Sequence, residues 1–175
     1  MISALLPALA LAQGHAANLL VNGDFEAGPQ GFLTAYRQSE NIFDQSTFAV
    51  TTDPRKQHQN GTSIRDHTSK KGAMLACNGS NERGAIVWQQ TVKVQPHTKY
   101  EFSGWGTSWS MDPATGEGRD ISPALIRVVI NGKSTGAVYG VNAKSGSWSR
   151  FYYEWDSGPY NTMTIRLIDA NIEMT

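Results

Sequence analysis

Apolar residues along this chain fall at every second position, in short runs separated by breaks rich in Gly, Asn and Pro. Such alternation marks strands with one buried face. The clearest run is 85–94, AIVWQQTVKV, where Ile86, Trp88, Val92 and Val94 share one face and Val87, Gln89, Thr91 and Lys93 the other. Residues 18–28, NLLVNGDFEAG, read as a short apolar strand, an Asn-Gly turn and Phe25. Further strands are predicted at 48–51, 73–77, 100–109, 124–132, 149–158 and 162–169, with Ser157–Asn161 as a tight connection between the last two. Parity assigns Ile126, Val128 and Ile130 to a core face, with Phe151, Tyr153 and Trp155, and with Met163, Ile165 and Leu167. Opposite them lie Arg127, then Arg150, Tyr152 and Glu154, then Thr164 and Arg166. That is the pattern of half-solvated antiparallel sheets. No run of helix formers follows residue 17, and no repeat or heptad is present. The expectation is an all-β fold, a jelly-roll β-sandwich of two antiparallel sheets.

A chain of 175 residues has room for one domain with a real core. Fifteen basic residues balance fifteen acidic ones, and the densest basic runs, Arg55-Lys56 and Lys70-Lys71, are too short to track a nucleic-acid backbone. Residues 1–12, MISALLPALALA, read as a signal peptide cleaved near Ala12 or as late as Ala17, although no Lys or Arg precedes the apolar run. The run is too short for a membrane span, so the mature domain, 18–175, is expected to be secreted, extracellular or at a cell surface. Cys77 is the one cysteine; in AMLACNG it reads as a small core residue. No Cys/His cluster has zinc spacing. Asn60 and Asn78 open Asn-x-Ser/Thr sequons.

The candidate chemistry lies in 100–109, YEFSGWGTSW. Tyr100 and Phe102 take the core parity, whereas Glu101, Ser103, Trp105, Thr107 and Trp109 take the other. Two Trp on a hydrophilic face leave a large apolar surface wet. Flat indoles stack on the C–H face of a sugar, and charged and amide side chains bond its hydroxyls. With Glu101, Arg127, Tyr152 and Arg166 on the same face, Trp105 and Trp109 would make a platform for a polysaccharide or other glycan. The alternative packs both Trp under the loop 110–123. Trp88, Trp148 and Trp155 read as structural. A glycosidase would need two carboxylates across a cleft, and Glu101 with Glu154 or Asp120 is the best pair available. A Ser–His–Asp triad built on His58 or His67 and one of the many serines can be assembled only on paper. The chain therefore reads as a binding module without catalysis. An adhesive or structural module is the alternative, with a glycoside hydrolase behind it. Asp24 and Glu26, in a Gly-rich turn, suit a hard cation such as calcium, or Asp24 simply closes the turn.

Four segments carry a resemblance: NLLVNGDFEAG, DHTSKKGAML, VWQQTVKVQPHTKYEFSGW and SGSWSRF. In this order and spacing they resemble the galactose-binding-domain-like jelly rolls. More closely, they resemble bacterial extracellular modules allied to the cellulose- and xylan-binding carbohydrate-binding modules. The likeness runs from Asn18 to Asn171. It implies a structural calcium held partly by a carboxylate at the position of Glu26, with Asp24 beside it. It also implies a further strand bearing an Asp-Asp pair that completes the calcium site and the sheet. The sequence stops at IDANIEMT, before such a strand, so the domain is expected to be C-terminally incomplete, with any downstream domain or sorting signal beyond it.

Overall fold

The computed structural model describes residues 17–171. The leader expected over 1–12, with cleavage up to Ala17, falls outside them except for Ala17. Among these residues nine strands form: β1 (Arg37–Gln38), β2 (Thr47–Thr51), β3 (Met74–Asn78), β4 (Ile86–Lys93), β5 (Lys99–Gly106), β6 (Leu125–Ile130), β7 (Lys133–Gly140), β8 (Ser149–Asp156) and β9 (Thr162–Asp169). Among the described residues there is no α-helix, only a 3₁₀ turn at Pro54–Lys56 capped by Asp53. Among the described residues no helix is long and apolar enough to cross a membrane. The strands join into sheets ordered β1-β2-β3, β4-β9-β6-β7 and β5-β8. All pairings are antiparallel except the two-residue contact of β1 with β2.

The main core lies where the four-stranded sheet meets the β5–β8 pair. Trp88, Val92, Val128, Ile130, Met163 and Ile165 supply one side and Phe102 the other, with Tyr100, Phe151, Tyr153 and Trp155 packed around it. The rings of Trp88 and Phe102 stack at 5.9 Å. These are the residues that alternation assigns to the core. A satellite cluster of Ile42, Ala49 and Ala76 lies under Trp109.

Two expectations give way. Residues 18–21 form no strand, whereas the expected Asn22-Gly23 turn forms, with Asn22, Phe25 and Gly28 at positive φ. The Asn22 side chain organises them, accepting from Ala27 N at 2.9 Å and donating to Gly28 O and Gln30 O. β7, in contrast, has no forerunner in the pattern. It returns from β6 through Asn131-Gly132, both at positive φ, the geometry of a tight hairpin turn. Its sequence, KSTGAVYG, is too poor in apolar residues to announce a strand.

Candidate functional site

β5 and β8 pair in a register that sorts their side chains cleanly. Tyr100, Phe102 and Gly104 face Trp155, Tyr153 and Phe151 on the core side. Gly104 is required there: a Cβ at that position would meet the Phe151 ring at 2.6 Å. On the outer side Glu101, Ser103 and Trp105 lie opposite Glu154, Tyr152 and Arg150. Trp105 is 45% exposed and Tyr152 60% exposed, large fractions for aromatic side chains.

Arg150 organises this face. Its guanidinium pairs with Glu101, donates to Ser103 Oγ at 3.2 Å and lies 5.5 Å over the Tyr152 ring. Both members of the ion pair are half exposed, so its effect is on the arrangement of the face more than on stability. Glu101 and Glu154 sit directly opposite, and the Arg150 charge offsets their repulsion. Beyond Trp105 the face continues into loop residues. His67 stacks on the indole at 3.7 Å with 13° between planes, and Trp148 meets His67 edge-on at 6.0 Å.

The His67 loop is held firmly. Trp148 Nε1 donates to Arg65 O at 3.0 Å. The buried Asp66 accepts from Ser69 N, Ser69 Oγ and Gly72 N at 2.5, 3.2 and 2.8 Å. Burial acts to raise the Asp66 carboxyl, but the amides of Ser69, Gly72 and Thr68 with the Ser69 hydroxyl overrule it and hold it below the ordinary carboxylate value.

The glycan-face residues do not share one face. Glu101, Trp105 and Tyr152 come together on the outer side of β5–β8. Arg127 and Arg166 lie on the four-stranded sheet, on the side away from the core strands' Val128 and Ile165, and Arg166 Nε donates to Gln89 Oε1 at 2.5 Å. The two arginines thus stand on a different sheet from Trp105. Trp109 lies past the end of β5, free of its alternation. It packs half-buried on Ile42, Ala49 and Ala76, meets His58 at 5.3 Å and donates from Nε1 to Cys77 O at 3.0 Å. Arg150, His67 and Trp148 join the face without having been singled out. Parity does place Arg150 beside Tyr152, but His67 and Trp148 arrive from loops and leave no local signal.

The other candidates have structural partners. Asp24 accepts Glu26 N at 3.3 Å, closing its turn, and Glu26 accepts Ala73 N at 2.8 Å. Among the described residues no group of three or more His, Cys, Asp or Glu side chains could hold a metal ion. Glu101 and Glu154 are neighbours on an open sheet face, not opposed across a cleft. The Cys77 thiol is pushed up to about 12 by burial and by the nearby Asp169 charge, which leaves it protonated and unreactive at neutral pH. The Asn78 side chain donates to Ile42 O and Phe43 O.

The chain matches no known protein-family profile and no curated protein.

Proposed function

We propose that this chain is an exported, non-catalytic carbohydrate-binding module of the galactose-binding-like jelly-roll kind. The reading takes the β4-β9-β6-β7 sheet and the β5–β8 pair as the two layers of a sandwich. The glycan would lie on the outer side of β5–β8. The observation that carries this is the solvent-facing aromatic run of Trp105 and Tyr152, flanked by Arg150, Glu101 and Ser103. Aromatic planes take the C–H face of a sugar ring, while a guanidinium and a carboxylate fixed by each other present donors and acceptors to its hydroxyls. Binding on so open a face is weak, since much of the ligand stays solvated. Neither Arg127 nor Arg166 takes part, and calcium has no role in these contacts.

One observation favours a second reading, an extracellular structural or adhesive module without a sugar ligand. His67 already covers one face of the Trp105 indole, so part of its stacking surface is used internally. A polysaccharide pull-down and glycan array separate the two. The lectin reading expects binding that falls at least about tenfold in Trp105→Ala and in Tyr152→Ala, while both variants stay folded. No binding to any glycan by the folded domain would leave the adhesive reading.

A further inference from the structure

Four Asn-Gly dipeptides stand in the chain, at Asn22, Asn60, Asn78 and Asn131. At such a dipeptide the next main-chain nitrogen can attack the asparagine carboxamide, because glycine lays no side chain across the approach. The attack needs a carboxamide free to turn onto that nitrogen, and three of the four are pinned. Asn22 donates to Gly28 O and Gln30 O and accepts Ala27 N. Asn78 donates to Ile42 O and Phe43 O at 3.0 and 3.1 Å. Asn131 accepts Thr164 N and donates to the Met163 sulfur. The Asn60 carboxamide, by contrast, has no hydrogen bond among the described residues, and it is half-buried, so water reaches it. Its one restraint is on the attacking side: Gly61 N donates to His58 O at 2.8 Å and must let go first. That is one bond to release, against two or three at the other sites.

The fold also fixes the glycine. A Cβ at Gly61 would meet Pro54 O at 2.7 Å and Arg55 Cα and His58 O at 2.8 Å, all main-chain atoms. We propose that Asn60 is a deamidation site of the folded protein. Gly61 N gives up its proton and bonds to Asn60 Cγ. The Cγ–Nδ2 bond breaks, and that nitrogen leaves as ammonia with the proton. Water then opens the succinimide at either carbonyl, to aspartate or to isoaspartate. The two products act differently on the segment that carries Trp109. Asn60 O accepts Met111 N at 2.8 Å and Thr62 N donates to Trp109 O at 2.7 Å, with Gly61 opposite Ser110 between them. Isoaspartate adds a carbon to the main chain inside this short ladder and puts its two bonds out of register. Aspartate keeps the ladder and sets a negative charge beside His58, whose Nδ1 accepts Asn60 N at 3.0 Å. The inference does not rest on the proposed glycan site.

Peptide mapping by mass spectrometry, with fragmentation that separates aspartate from isoaspartate, tests it on the full chain held at mildly alkaline pH. In the folded protein Asn60 should convert at least about fivefold faster than each of Asn22, Asn78 and Asn131, the effect of having one hydrogen bond fewer to release. In urea that lead should disappear, since all four asparagines precede a glycine and no fold holds three of them back. Asn60 converting no faster than any one of the other three in the folded protein would overturn the proposal. A lead that persisted undiminished in urea would overturn it too, because it would belong to the neighbouring residues and not to the fold.

Discussion

Trp105 and Trp109 share a parity in the sequence but do different work in the fold, and substitution separates them. Trp109→Ala removes an indole from the Ile42–Ala49–Ala76 cluster and strips the Cys77 carbonyl of its donor. The expected loss is about 2–4 kcal/mol, toward the lower part of the range for a large aromatic because Trp109 is only half-buried. Trp105→Ala loses a stacking contact with His67 and should cost about 1 kcal/mol. Urea unfolding of both variants checks this, and equal losses would contradict it. Asp66 makes a second residue-level prediction. Its carboxyl is held below the ordinary value in the folded state, so its contribution to stability is present above the unfolded value, about 3.9, and is lost as pH falls through the folded one. Asp66→Asn should therefore lower stability at neutral pH and flatten the decline of Tm on acidification below about pH 4. An acid limb identical to that of the native chain would show that the Asp66 hydrogen bonds do not survive in solution.

Strands that bury one face were legible because alternation is a local signal: β4, β5, β6, β8 and β9 fall where the pattern puts them. β7 was not legible, since its pairing with β6 depends on a turn and not on apolar content. That turn carries the element-scale prediction. Asn131 takes φ 47°, accepts Thr164 N at 2.8 Å through Oδ1 and directs Nδ2 at the Met163 sulfur, so one residue both reverses the hairpin and ties it to β9. Asn131→Gly keeps the positive φ but loses the side-chain bonds, an expected cost of about 1 kcal/mol. Asn131→Ala loses the bonds and adds about 1–2 kcal/mol for a Cβ in the left-handed region. Chemical denaturation should rank native, Gly and Ala in that order; Ala at or above Gly would mean the turn relaxes to another conformation.

Parity tells inside from outside within one strand but not which strands share a layer. That is why the core was readable from the sequence and the binding face only in part. Arg127 and Arg166 have the outward parity that Trp105 has, yet they stand on a different sheet. Pairing order is a long-range property, and so are the contacts that hold the N-terminal turns in place. Glu26 reaches across 47 positions to Ala73 N, while Asp66 takes the neighbouring Gly72 N. These carboxylates already have main-chain donors, and Asp24 is used within its own turn. A calcium ion here would have to compete with these main-chain donors for the carboxylate oxygens. The whole molecule is therefore expected to unfold at the same temperature in millimolar calcium and in EDTA. The measurement is decisive because the alternative is large. A cation present at a hundred times its Kd would add about 2.7 kcal/mol, which for a domain of this size raises Tm by about 5–10 °C. A shift of that size, abolished by Glu26→Gln, would mean that Glu26 ligates a metal. Without a shift, Glu26→Gln should cost only the difference between a charged and a neutral acceptor for one amide, about 1 kcal/mol.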